Sequence, residues 1–95
     1  MIGRIEEIID NTVNVKLEID ITEQPSFVNL HVIFEDGSGK KVVAEVGNVN
    51  KTNLYANIVG EINNDFFMPG ASQKPSFKST VRLIKEDELA LILGD

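Results

Sequence analysis

The chain has no cysteine and no tryptophan, and only one histidine, one tyrosine and three prolines in 95 residues. Without cysteine there is no disulfide framework, no thiolate nucleophile and no thiolate metal site, a pattern that suits a cytoplasmic protein. A single imidazole also excludes the His/Cys sets that hold zinc. Basic residues are scarce, nine against fifteen acidic ones, for a net charge of −6. Autonomous nucleic-acid binding draws most of its affinity from clustered Lys and Arg, and Lys40-Lys41 is the only adjacent basic pair. No apolar run approaches the roughly 20 residues that cross a bilayer as a helix, and the N-terminus lacks the charged-then-apolar order of a signal peptide. Asn50-Lys51-Thr52 fits the glycosylation pattern, which carries no meaning without secretion. The expectation is a soluble, cytoplasmic chain with no membrane association.

What is present suffices for one modest core, since 42% of the residues are apolar, and residues 1–95 are read as a single domain. The clearest element runs from Thr12 to Ile21. Val13, Val15, Leu17, Ile19 and Ile21 alternate with polar residues and predict a strand with one apolar face. Ile2 to Ile9 reads as a strand with imperfect alternation, joined to it by a turn at Asp10-Asn11. Gly3 near its start marks a bulge or a close backbone approach. After the polar connector 22–26, Phe27 to Phe34 is nearly continuous apolar, as expected of a strand buried on both sides or bent near its middle. Asp36-Gly37-Ser38-Gly39 forms a turn, and Val42 to Val46 returns as the partner strand.

Asn53 to Ile62 reads two ways. Leu54, Tyr55, Ile58, Val59 and Ile62 fall at helical spacing, while Leu54, Ala56, Ile58 and Gly60 would share one strand face. Asn63-Asn64-Asp65 is a turn, Phe66-Phe67-Met68 an apolar patch, and 69–76 a loop. Phe77, Ser79, Val81 and Leu83 then share a strand face, and Lys85 to Leu93 forms a short helix whose Glu86, Asp87 and Glu88 suit its positive end. Asparagines cluster between Asn48 and Asn64. About six short strands at spacings of roughly 10 residues predict an all-β fold, a small closed or partly open six-stranded barrel with a short C-terminal helix. Closure removes exposed strand edges. Gly94 is a helix stop, and Asp95 after it suits the start of a new element, so the end of the chain reads as a cut at a domain boundary.

No credible catalytic, cofactor-binding or metal-binding set emerges. Gly37-Ser38-Gly39-Lys40 looks like the end of a phosphate loop, but Phe34 stands where the leading glycine belongs and Lys41 where the hydroxyl belongs. A phosphate loop also opens a helix, whereas this one joins two strands. His31, inside an apolar strand, reads as a half-buried structural residue. Glu6 and Glu7 should point to opposite faces, Glu18 and Asp20 should form a solvated face, and no twelve-residue calcium loop occurs. None of the serines sits in a Gly-x-Ser-x-Gly elbow. Phe66, Phe67 and Met68 are the candidate contact surface, because aromatics and methionine are enriched at interface cores. The alternative is that at least one of them closes the barrel end.

Met1-Ile2-Gly3-Arg4-Ile5, followed by Val13-Asn14-Val15-Lys16-Leu17, resembles the first hairpin of the HAS barrel. That barrel is the N-terminal domain shared by HerA-type DNA-translocating ATPases and the rotary ATP synthases. Val43-Ala44-Glu45-Val46-Gly47 resembles its return strand. Val59-Gly60-Glu61-Ile62, Pro69-Gly70, Val81-Arg82, Glu88-Leu89 and Ile92-Leu93-Gly94 resemble the run from barrel into ATPase. The resemblance covers nearly the whole chain and favours a strand over Asn53–Ile62. It implies a non-catalytic N-terminal barrel of a HerA-like ATPase that helps subunits form a hexamer and docks a partner such as a nuclease of the NurA type. ATP, magnesium and most contact with nucleic acid would belong to an ATPase domain absent from these residues, and the full-length protein would be an ATPase. The alternative is a stand-alone oligonucleotide-binding barrel for single strands, which would place aromatics and basic residues on one sheet face.

Overall fold

The computed structural model describes residues 2–20, 30–70 and 73–94. Seven strands and one helix follow in order: β1 (Gly3–Ile9), β2 (Thr12–Leu17), β3 (His31–Glu35), β4 (Lys41–Val49), β5 (Asn53–Asn63), β6 (Phe66–Pro69), β7 (Thr80–Leu83) and α1 (Glu86–Leu93). Every pairing is antiparallel. The ring runs β1-β2-β5-β4-β3-β7 and back to β1, closed by the β2–β5 ladder, and β6 flanks β5 outside the ring. The expected six-stranded barrel with a C-terminal helix is therefore closed.

Asn53–Asn63 is a strand along its whole length. Helical spacing lost to tertiary pairing, because this segment is hydrogen-bonded to β4 on one side and to β2, then β6, on the other. A bulge at Val59 lets it serve two layers. Before it, Leu54, Ala56 and Ile58 face the barrel interior; after it, Ile62 faces outward beneath α1. β3 is buried on both sides in the expected manner. Val32 and Phe34 join the interior core, and Ile33 joins the outer layer with Val43, Ile62 and the helix residues Leu91 and Ile92.

The imperfect alternation of the first strand also has a cause. The β1–β2 register shifts between Ile5 and Glu7, leaving Glu6 as an extra residue. Ile5 and Ile8 then both pack with the interior core, and Glu6 and Glu7 are both exposed instead of diverging. Gly3 is a close approach: a Cβ there would sit 2.9 Å from the Val15 side chain and closer still to the Lys16 carbonyl.

Two expected strands are shorter than their alternation implied. β2 stops at Leu17 because its neighbours stop there. Glu18 makes a last bond from its N–H to the Ile2 carbonyl (2.9 Å), and β5 begins only at Asn53. Ile19 is consequently 51% exposed instead of sharing the buried face, and Ile21 lies outside the described residues. Phe77 does not join β7. It sits in a turn closed by the Ser79 N–H donating to the Ser76 carbonyl (3.0 Å), and it is exposed. Phe27 and the connector 22–26 also lie outside the described residues.

Candidate interaction surface

The candidate residues Phe66, Phe67 and Met68 form most of β6, which follows β5 through a tight hairpin. Asn64 and Asp65 both adopt positive φ (52° and 65°), the backbone that a two-residue turn of matching twist requires. Successive side chains on a strand alternate in direction, and this separates the three. Phe67 packs against Ile62 and the layer beneath α1. Phe66 and Met68 point away from it and stand 73% and 46% exposed. Phe67 therefore belongs to the chain's own packing on the barrel's outer wall, and Phe66 and Met68 are free for contact.

Gly60 holds this hairpin close. A Cβ at that position would lie 2.7 Å from the Phe67 ring and nearer still to the Met68 carbonyl. Gly60→Ala should therefore push β6 off β5 and lower stability by about 2 kcal/mol, as overpacking does. An unchanged urea midpoint would show that β6 can shift freely.

Beside this surface, one charged cluster ties α1 to the barrel wall. Glu88 is the one fully buried residue of the helix, at 3% exposure. Both of its carboxylate oxygens accept from Arg82, from Nη1 at 2.7 Å and Nη2 at 2.6 Å. It also accepts from the Lys85 N–H at 2.9 Å and pairs with Lys41 Nζ at 3.1 Å. Arg82 reaches Glu35 as well, Nε to Oε1 at 2.6 Å. The bidentate contact with Arg82 holds the Glu88 carboxyl down to about 2 against the opposing effect of burial, with the Lys85 N–H and Lys41 adding to it. Reciprocally, Glu88 pushes the Arg82 guanidinium up. The short helix is thus anchored by this charge cluster together with Leu91 and Ile92, which are half-buried against the outer layer. Gly94 closes it in the left-handed conformation (φ 77°), its N–H donating to the Ala90 carbonyl.

The remaining candidates are structural. Gly37 and Gly39 adopt φ of 91° and 90° in a turn between β3 and β4, as expected. The Ser38 N–H donates to Asp36 Oδ1 at 3.0 Å, and these serine hydrogen bonds hold the Asp36 carboxyl below its ordinary value. Lys40 bonds the Gln73 side chain and lies 3.5 Å from the buried Glu61 carboxylate. A cleft of about 170 Å³ opens here, lined by Asp36, Lys40, Lys74, Ser76 and Ser79 among others. Two lysines and one carboxylate, Asp36, line it, and Lys40 is engaged by Gln73 and Glu61. His31 is half-buried, its Nε2 3.8 Å from Glu45. Among the described residues, no three His, Cys, Asp or Glu side chains are placed to hold a metal ion, and no helix is long and apolar enough to cross a membrane.

Sequence reasoning saw the asparagine cluster but not its arrangement. Tyr55 stands on the outer wall between its register partners Asn14 and Asn48, with Asn53 and Asn57 two residues away on its own strand. Asn53 Nδ2 donates to Asn14 Oδ1 at 2.8 Å, and Thr12 donates to Asn57 at 2.9 Å. Among the other described aromatics, Phe34 is in the interior, Phe67 is beneath α1, and Phe66 and Phe77 are exposed. The charge cluster was also missed as a unit. Arg82 and Glu88 are six apart in sequence, a spacing with no meaning until β7 and α1 fold against each other. The chain matches no protein-family model and no curated protein.

Proposed function

We propose that this chain is the N-terminal barrel of a HerA-like hexameric DNA-translocating ATPase, a non-catalytic module that promotes assembly and docks a partner such as a nuclease. One observation carries the reading from the structure's side. A closed barrel has no need of a further strand, yet β6 stands outside the ring and presents Phe66 and Met68 to solvent. Exposed aromatic and methionine side chains on a rigid edge are the composition of an interface core. The resemblance of the glycine-and-apolar patterns to the HAS barrel supports the rest. On this proposal, ATP, magnesium and most nucleic-acid contacts belong to a domain after Asp95, and the barrel acts in the cytoplasm.

Phe66→Ala with Met68→Ala in the full-length protein tests the contact role. Each truncation at an interface centre costs about 1 kcal/mol or more, so association of the protein, with itself or with its docked partner, should weaken about tenfold or more. Melting of the barrel should shift little, because both side chains are exposed. Unchanged association in both measurements would remove β6 from the functional account. A natural reading frame that continues past Asp95 without a strand followed by Gly-x-x-x-x-Gly-Lys-Ser/Thr would remove the ATPase.

A further inference from the structure

We infer that the free edge of β6 pairs with β6 of a second copy of this chain, antiparallel, about a two-fold axis through Phe67. The inference rests on reading β6 as the contact surface and names what covers it. The main-chain groups decide the geometry. In a two-residue hairpin the pair that flanks the turn, Asn63 and Phe66, exchanges hydrogen bonds, and the ladder alternates from there. Glu61 and Met68 form the next bonded pair, and the Gly70 N–H donating to the Val59 carbonyl (2.9 Å) continues it. Phe66 and Met68 thus spend their main-chain groups on β5, and Phe67 and Pro69 direct theirs to the open side. Among the described residues nothing pairs with that side.

Proline then fixes the register. Pro69 has no N–H, so the open edge of this four-residue strand offers one complete donor–acceptor set, that of Phe67. Two complete bonds form only when Phe67 of one copy faces Phe67 of the other. In that register Phe66 lies opposite Met68 of the second copy, and the two-fold axis repeats the contact. Two thioether–aromatic pairs result, made from Phe66 and Met68, two of the three β6 residues that the single chain leaves exposed. The Phe67 side chain stays on the other face beneath α1, so pairing needs no refolding.

The contact is small. A four-residue edge buries less than the ~1,200–2,000 Å² of stable interfaces, so its dissociation constant should be on the order of 10⁻⁴ M. Each copy carries −6, and pairing should tighten as salt screens that repulsion. An isologous contact closes at two copies. It therefore accounts for the self-association part of the role proposed for β6, joining two barrels about a two-fold axis, and leaves the contacts between successive neighbours of the proposed ring to other surfaces.

Sedimentation of this 95-residue chain up to about 1 mM, a concentration above that expected constant, should show a monomer–dimer equilibrium. Phe66→Lys alone and Met68→Glu alone should each weaken it about tenfold, because the two-fold axis places each change twice in the contact. Mixing the two variants should restore pairing as a heterodimer, since in this register the introduced ammonium faces the introduced carboxylate. A parent that stays monomeric overturns the inference, as do single variants that dimerise like the parent or a mixture that does not recover. Melting curves of the variants report whether they are folded. Capture of the nuclease by the full-length protein is scored separately, so loss of the dimer and loss of the docking role remain distinguishable.

Discussion

A Val15→Asp chain should show no cooperative thermal transition where the parent melts in one step. Val15 is fully buried on β2, with Ile5 of β1 and Leu54 of β5 as its register partners. Those partners are apolar and offer a carboxyl group nothing to bond. Removing the valine forfeits about 2 kcal/mol of apolar burial. Even a protonated carboxyl buried without a partner costs roughly 2–7 kcal/mol more. A domain of this length has on the order of 5–14 kcal/mol to lose, so the substitution consumes most or all of it. Leu17→Asp should act in the same direction with a smaller effect, because Leu17 sits near the end of its strand and keeps slight exposure. Circular dichroism on heating decides the matter. A transition near the parent's midpoint would mean that this strand face is not the core.

Acidification should cost the parent about 3 kcal/mol through Glu88 alone, and Glu88→Gln should abolish that loss. The carboxyl is held at about 2 in the folded chain against an ordinary 4.5, and each unit is worth about 1.36 kcal/mol. A carboxyl whose folded value is depressed stabilises the fold when ionised. The contribution is complete above pH 4.5 or so and disappears as the pH falls through about 2. At neutral pH the same substitution removes the charge that Arg82 and Lys41 share, a loss of about 3 kcal/mol for a broken buried pair. It should show first as release of α1, because no other residue of that helix is fully buried. Amide exchange in α1 should quicken before the barrel opens. Equal pH dependence of parent and variant between pH 5 and 2, where the unfolded chain takes up the proton and the folded carboxyl still holds its charge, would show that Glu88 is not the anchor.

Local chemistry read correctly wherever it was self-sufficient. The alternation of Val13, Val15 and Leu17 needs no tertiary information, because an apolar face with period two must be buried. Paired glycines around Ser38, the Asn63-Asn64-Asp65 turn and Gly94 act through φ preferences that are properties of the residues themselves. Phe66, Phe67 and Met68 were legible as an apolar patch. Their division into one packed and two exposed side chains was not, because it depends on which face of β6 meets α1.

By itself, then, the sequence determined the all-β class, the hairpins and the terminal helix, since period, turn chemistry and composition are local quantities, and it left β3 either buried on both sides or bent. The tertiary structure settled Asn53–Asn63, whose spacing fitted a helix and a strand alike; the resemblance favoured the strand, and the ladders to β2, β4 and β6 make it one. It also decided where strands stop. Ile19 and Phe77 continue an alternation that the pairing does not, because a strand lasts only as long as a neighbour accepts its hydrogen bonds. The Arg82–Glu88 anchor and the open edge of β6 belong to the same class, created when distant segments of chain are brought together.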